Sequence, residues 1–145
     1  MEQLRNLPIG IQTFEDIRKG GFLYVDKTDM IYQIVHAGKP YFLSRPRRFG
    51  KSLLISTFEA YFQGRKELFE GLAIERLEKE WIEYPVLHLD LSAEKYDSAF
   101  RLESMLARHL NLWEDVWGRE EREVTLSDRF IGIIRRAYEQ TGKQV

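Results

Sequence analysis

A Gly-Lys-Ser tripeptide at residues 50–52 lies between a polar loop and an amphipathic segment, and this junction constrains the fold more than any other feature. Apolar residues 41–43 precede the loop, and apolar side chains recur after it at helical spacing. Strand, loop and helix in this order form the setting of a phosphate-binding loop. The sequence therefore predicts that residues 45–52 bind the phosphates of a nucleotide.

The chemistry of this loop assigns a role to each of its polar groups. Backbone N–H groups of the loop and of the helix start converge on an anion, and Gly50 lets the backbone approach phosphate closely. Lys51 is expected to stabilise charge on the γ-phosphoryl group as the catalytic cation, and Ser52 to hold Mg²⁺. The residues expected to contact the nucleotide are Arg45, Pro46, Arg47, Arg48, Phe49, Gly50, Lys51, Ser52 and Leu53.

The loop departs from the consensus at its first position, where Arg45 replaces glycine. No acidic residue lies between Asp29 and Glu59, whereas five basic residues do, although the net charge of the chain is only −1. A local positive region in a nearly neutral protein indicates a localised anionic ligand. Three alternatives stay open: a solvated loop that binds nothing, arginines paired with the glutamates after residue 58, and a loop that grips nucleic acid through its cations and aromatic rings.

Composition further narrows the class of protein to which the chain can belong. The chain of 145 residues is long enough for one domain with a core, and it has no cysteine for disulfides or thiolate metal sites. His36, His88 and His109 are interpreted as structural residues. No apolar run approaches the roughly 20 residues that span a bilayer, and the N-terminal residues 1–5 lack a signal-peptide pattern. We therefore expect a cytoplasmic protein without a membrane partner.

Strands and helices are predicted to alternate along the chain. Short apolar runs predict strands at residues 22–25, 41–43 and 86–91. Helical periodicity and caps predict helices from Asp26 or Thr28 to about Gly38, from Lys51 to about Gly64, over residues 98–111, and from a capping box at residues 125–128 to Gly142. Alternating strands and helices favour an α/β fold, here an incomplete P-loop NTPase-type core with parallel strands flanked by helices.

Four segments together resemble the N-terminal part of the predicted AAA-ATPase-like family of bacterial proteins. They are residues 7–14, 24–28, 42–53 and 84–92, and the resemblance extends over essentially the whole chain. In that family Arg45 is the usual residue, and a PD-(D/E)xK nuclease-like domain commonly follows the ATPase-like module. The resemblance implies ATP binding with Mg²⁺ through a variant Walker A loop.

The resemblance also implies what residues 1–145 lack. Residues 141–145 look like the lead-in to the Walker B strand, so the acids needed for hydrolysis are expected beyond Val145. Asp90 is then more similar to a residue of the second core strand than to a Walker B acid, although a metal-linked role stays open. Asp26, Lys27 and Thr28 either lie near the base pocket or cap a helix.

The sequence leaves several classes of binding partner open. The loop predicts a nucleotide, and the full-length family pattern leaves nucleic acid as a further partner. Unpaired strands would also allow homo-oligomers, or a purely structural fragment that binds no nucleotide.

Overall fold

The computed structural model describes residues 4–92 and 97–145, which form two compact units, Met1–Glu83 and Tyr84–Val145. Met1 to Gln3 of the N-terminal segment considered above lie outside the described residues. Each unit is built from helices joined by extended segments and turns.

The first unit is a small helical assembly around an aromatic core. Phe14 and Phe69 are fully buried, with ring centroids 4.8 Å apart. Tyr61 and Trp81 pack against the Phe69 ring from other sides. The helices of this unit are α1 (Phe14–Lys19), α2 (Thr28–His36), α3 (Lys51–Phe62), a 3-10 turn (Lys66–Phe69) and α4 (Ala73–Leu77).

An ion pair joins α1 to the segment that follows α3. The Arg65 guanidinium donates to both carboxylate oxygens of Glu15, at 2.7 and 2.9 Å. Together with the ammonium of Lys19, these hydrogen bonds lower the pKa of Glu15 to about 2. Arg18 adds two further contacts from α1 to the same region, donating to the carbonyls of Leu68 and Glu70. The segment that follows α3 is therefore connected to α1 by the charged side chains of Glu15, Arg18 and Arg65.

The second unit is organised by α5 (Ala99–Trp117) and α6 (Leu126–Thr141), which pack against each other. The predicted capping box is confirmed: the Thr125 and Asp128 side chains each accept from the other's backbone N–H. Gly142 ends α6 with a φ of 68°, as predicted for a left-handed C-cap. The α5 helix begins at Ala99, one residue after the predicted start at Ser98, which is its N-cap, and continues to Trp117, six residues past the predicted end at Asn111.

Buried ion pairs connect α6 to α5 and to the loop between them. Arg129, only 7% exposed, donates to both carboxylate oxygens of Glu114 at 2.7 and 2.8 Å. Arg136 binds the carboxylate of Glu123, which is 4% exposed and lies directly against Gly132. A Cβ at Gly132 would stand 1.7 Å from a Glu123 oxygen, so any other residue there would displace the Glu123 carboxylate, which is paired with Arg136.

The predicted α/β fold is wrong for the part of the chain that the structure describes, since residues 4–92 and 97–145 contain helices and no strand. The segments at 22–25, 41–43 and 86–91 have no regular secondary structure, and within the described residues no neighbouring backbone pairs with them as a ladder. A short apolar run predicts an extended backbone, whereas a sheet also needs a partner strand at about 4.8 Å. Phe42, at 93% exposed, shows that its segment gains no burial.

None of the described helices combines the length and the apolar character that crossing a bilayer requires.

Substitution of Gly132 by alanine tests the contact between α6 and Glu123. Alanine normally stabilises a helix interior relative to glycine, but here its Cβ collides with a buried carboxylate. We expect G132A to lower the free energy of unfolding by about 2 kcal/mol or more, measured by urea denaturation.

The matched control is the double variant G132A/E123A, in which the obstructing side chain is absent. Non-additive free energies in this cycle are expected because the two residues are in direct contact. Equal stability of G132A and the wild type would contradict the described packing.

Candidate functional site

Helix α3 carries the candidate site at its N-terminus and is anchored by its C-terminal half. Thr57, Ala60 and Tyr61 are buried, while Ser52 in the first turn is exposed. All residues from 41 to 50, which lead into the helix, are exposed. The helix therefore projects a fixed N-terminus from the core of the first unit.

Two hydrogen bonds connect the middle of α3 to the N-terminal segments of the chain. The Phe14 backbone N–H donates to the Ser56 hydroxyl at 2.9 Å, and the side chains of Tyr24 and Thr57 are hydrogen-bonded. Burial raises the pKa of Tyr24, and its ring packs edge-on against Phe14 with centroids 5.2 Å apart. These contacts fix α3 at Ser56 and Thr57, which lie more than one helical turn after the loop.

The backbone at the start of α3 is arranged for close approach of a ligand. Gly50, the N-cap, has a φ of 76°, which favours glycine, and offers no side chain to cap the helix. The first intrahelical bond runs from Leu54 N–H to the Gly50 carbonyl, so the N–H groups of residues 51–53 precede the helical ladder. Arg48 also has a positive φ, 67°, and among the described residues it alone does so without being glycine. Such alternation of positive φ values is typical of anion-binding loops.

Lys51 folds back over the loop. Its Nζ donates to the carbonyl of Arg45 at 2.5 Å and to that of Pro46 at 2.9 Å. The ammonium is thereby held above the N-terminus of α3, where a positive charge opposes the helix macrodipole. The hydrogen bonds to carbonyls offset that repulsion and close the loop from Arg45 to the helix.

The three arginines of the loop have no acidic partner in residues 4–92 or 97–145. No ion pair or hydrogen bond to a carboxylate involves Arg45, Arg47 or Arg48, so the alternative in which they pair with downstream glutamates is not observed there. The aromatic side chains of the region are open as well, with Phe49 62% and Phe42 93% exposed. The structure thus brings the predicted cations together on one exposed loop.

Asp26 and Thr28 cap helices, which was one of the two alternatives for them. The Asp26 Oδ1 accepts from the Thr28 N–H and hydroxyl, and its Oδ2 accepts from the first N–H of α4, at Ala73. The Thr28 hydroxyl oxygen in turn accepts from Ile74 N–H at 3.0 Å. Burial raises the pKa of Asp26, but these hydrogen bonds outweigh it and lower the pKa overall. Both side chains join α2 to α4.

Asp90 forms a local turn. Its Oδ1 accepts from the backbone N–H and hydroxyl of Ser92, which lowers the pKa of Asp90, and its carbonyl lies 3.0 Å from the His109 Nε2. His36 lies 3.8 Å from the buried carboxylate of Glu78. Within the described part of the chain, no three His, Asp or Glu side chains are grouped to hold a metal ion. The hydrogen bonds of Asp90 thus go to Ser92 and, through its carbonyl, to His109 of α5.

An open depression of about 230 Å³ lies on the second unit. Its walls carry both signs of charge, and Glu123 within it is already paired with Arg136. It is lined by Arg122, Glu123, Asp128, Ile131, Gly132 and Arg135. It therefore offers no set of unpaired polar groups like that of the loop on α3.

Comparison with known proteins places the chain in a family. The model of the family described as "Predicted AAA-ATPase" matches residues 8–145, so the chain belongs to this family, and its resemblance to AAA-ATPase-like proteins is confirmed.

A relative in Azotobacter chroococcum mcd 1, described as an uncharacterized protein in the vnfD 5' region, is 39% identical over 142 residues. The match covers 97% of this chain and 28% of the relative, so this chain spans well under a third of that protein. No solved structure matches the chain.

Sequence reasoning missed the residues that support the loop. Thr13 and Asp16 carried a capping signal for α1, since the Thr13 side chain accepts from Asp16 N–H. No local pattern marked Ser56 as the acceptor for Phe14, because the two residues are far apart in the chain. The link from Thr28 to Ile74 is equally non-local.

Replacement of Thr28 by valine tests the cap on α4. Valine keeps the shape but leaves the buried Ile74 N–H without its acceptor. We expect T28V to lower the free energy of unfolding by about 1–3 kcal/mol. Thr141, an exposed threonine near the end of α6, provides the control, and T141V should change stability by much less. Equal effects of the two substitutions in urea denaturation would contradict the assigned role of Thr28.

Proposed function

We propose that this chain binds a nucleotide through the phosphate groups, at residues 45–52, as part of an ATPase-like module. One observation carries the proposal: the anchored helix α3 presents an uncapped N-terminus, and the exposed cations around it have no acidic partner among the described residues. Family membership supports the same ligand class. Helix N-termini and clustered cations both favour bound phosphate.

Each residue of the loop has a chemical role in this proposal. The N–H groups of Lys51, Ser52 and Leu53 donate to phosphate oxygens, and Gly50 keeps the approach free of a Cβ. Apart from the residues on either side of Gly50, no described atom lies within 4 Å of where a Cβ would stand. The Lys51 ammonium leaves the carbonyls of Arg45 and Pro46 and turns to the ligand. Arg45, Arg47 and Arg48 neutralise the remaining charge, while Pro46 and Phe49 shape the loop.

The residues present are compatible with Mg²⁺ at Ser52. Its hydroxyl is exposed at the first turn of α3, and it makes no hydrogen bond within the described residues. Magnesium bound with a nucleotide would neutralise phosphate charge, and the protein would contribute one hydroxyl oxygen. The proposal covers nucleotide binding, with Lys51 as the residue that stabilises charge on the phosphates. Hydrolysis of ATP would in addition need acidic residues that hold Mg²⁺ and orient water.

The first test of nucleotide binding is the variant K51A, titrated with Mg²⁺ and ATP by isothermal calorimetry. Loss of the ammonium removes a charge-assisted contact to phosphate, so affinity should fall by about 100-fold. The control is K79A, which removes an exposed lysine of the same unit outside the loop and should bind like the wild type.

Circular dichroism should show that both variants are folded, since neither side chain is buried. The proposal fails if the wild type shows no saturable binding, or if K51A and K79A bind equally well.

A second test addresses magnesium. S52A should weaken ATP binding by about tenfold in the presence of Mg²⁺ and should leave binding in excess chelator unchanged. The control is S44A, which removes another exposed hydroxyl before the first arginine of the loop. An equal loss with and without Mg²⁺ would show that Ser52 does not act through the metal.

A second candidate function is binding of single-stranded nucleic acid. The exposed rings of Phe42 and Phe49 among the loop cations favour it, because bases stack on such rings while cations contact the backbone. This function predicts gradual losses for each arginine variant, a steep salt dependence and no special role for Lys51. Competition between ATP and an oligonucleotide, combined with K51A, separates the two functions.

A further inference from the structure

We propose that two copies of this chain associate through α6, which packs antiparallel against the α6 helix of the second copy about a two-fold axis. The contact surface is a row of exposed and half-buried side chains along α6, which we call the outer seam. It consists of Ser127, Ile131, Ile134 and Tyr138. The outer seam belongs to the second unit, and this inference does not rest on the proposed function of the loop before α3.

Helix α6 carries apolar residues on two faces. Ile133 and Ala137 are fully buried in the second unit, where α6 packs against α5. Elsewhere on the helix, Ile131 is 64% and Tyr138 55% exposed, and Ile134 between them is half-buried. A helix face in contact with water normally carries polar and charged side chains, whereas contiguous exposed apolar residues mark an interaction surface. The outer seam is therefore an apolar face that the described residues leave uncovered.

The spacing of the outer seam is that of a coiled coil. Its residues follow one another at intervals of four, three and four positions. Ile131 and Tyr138 thus occupy the a positions of a heptad, and Ser127 and Ile134 occupy the d positions. Residues at this spacing remain at the contact line of two helices that cross at about 20°. A helix with the same spacing is the partner that fits, and a second copy of α6 supplies one.

An antiparallel pair of α6 helices matches the residues of the seam by size. When the a positions of one copy face the d positions of the other, Ile131 lies against Ile134 and Tyr138 lies against Ser127. The inner layers bring two β-branched apolar side chains together, and the outer layers place the largest residue opposite the smallest. Facing large and small side chains allows a contact without voids. A two-fold axis between residues 132 and 133 generates each layer twice.

Two charged residues beside the seam favour the antiparallel orientation. Asp128 and Arg135 are seven residues apart and occupy successive e positions, whose charges set the orientation of helix pairs. In the antiparallel pair the e positions of both copies meet on one side, which brings Asp128 of each copy to Arg135 of the other. In a parallel pair they would meet the g positions, Phe130 and Ala137, which carry no charge.

Both charged groups can form this contact. Within the described residues, the Asp128 carboxylate accepts from the Thr125 N–H at 3.4 Å and pairs with no cation. The Arg135 guanidinium donates from one nitrogen to Glu120, and its five N–H donors allow it to bind a second carboxylate. The depression of about 230 Å³ beside Ile131 is lined by two arginines and two acids. Such a balance of charge suits a second copy of the same surface better than a strongly charged partner.

The first test is sedimentation equilibrium of the full chain at concentrations from about 1 µM to about 1 mM. Because the seam is short, we expect a weak dimer with a dissociation constant on the order of 10 µM. I131K places an ammonium group in each inner layer and should weaken dimerisation by about tenfold or more. The control is M30K, which adds the same charge at a position of α2 that is 55% exposed, and it should dimerise like the wild type. Circular dichroism should show that both variants are folded, since both positions are exposed.

Cysteine pairs test the orientation, because the chain has no cysteine of its own. In the antiparallel pair, residue 127 of one copy faces residue 138 of the other, whereas the two copies of residue 127 lie about 16 Å apart along the helices. A disulfide needs Cα atoms within about 7 Å of each other. A mixture of S127C and Y138C should therefore form the mixed disulfide much faster than either variant alone forms a symmetric one.

A charge reversal tests the contact between the e positions. R135E brings two carboxylates together at each contact and should weaken the dimer by about tenfold. D128R/R135E restores opposite charges across the interface and should regain most of the lost affinity. Because D128R also removes the cap acceptor of α6, thermal unfolding of each variant at a concentration below the dissociation constant measures the stability of the monomer separately.

The proposal makes outcomes that would overturn it distinguishable. A chain that stays monomeric over the whole concentration range overturns it and leaves the outer seam to a different partner. A dimer that I131K and M30K weaken equally uses another surface, which also overturns it. Symmetric S127C disulfides that form as fast as the mixed ones contradict the antiparallel arrangement. Each of these results leaves nucleotide binding by the loop unaffected.

Discussion

The packing of the first unit depends on the buried Phe14, which contacts several of its elements. Its ring packs between Tyr24 and Phe69, and its backbone N–H donates to Ser56 of α3. One residue thus joins α1, an extended segment, the 3-10 turn and the loop-bearing helix. Because Phe14 is fully buried, a shift of any of these elements would open the core, which fixes α3 relative to its neighbours.

Helix α3 divides into a packed half and a charged half, and the two halves depend on each other. The exposed loop concentrates positive charge and holds Arg48 at a positive φ, both of which cost free energy in the folded state. The helix tolerates this because Thr57, Ala60 and Tyr61 are held in the core. Lys51 reduces the cost by binding two carbonyls. An anionic ligand would remove what remains of the repulsion, which is consistent with the proposed binding of phosphate.

Local signals predicted α2, α3, α5 and α6 but not α1 or α4, and non-local contacts decided the rest of the fold. The capping box of α6 and the start of α3 at Lys51 could be predicted because they depend on a few neighbouring residues. The strands were wrong because pairing depends on distant backbone that an apolar run does not specify. Gly132 could be read only as a weak helix residue, since nothing near it in sequence shows that Glu123 lies against it. The cations of the loop were predicted, but the self-contact of Lys51 was not.

The segments that resemble the AAA-ATPase-like family include residues that support α3 as well as the loop proposed to bind phosphate. Phe14 and Tyr24 contact the middle of α3, and Asp26 bonds to the start of α4, yet none of the three belongs to the loop. The segments of the family pattern therefore include residues that hold α3 in place as well as the loop itself. The supporting contacts reach α3 at Ser56 and Thr57, whereas residues 41–50 before the helix are exposed. Under the proposed function, Lys51 and the arginines rearrange around the ligand while these contacts stay in place.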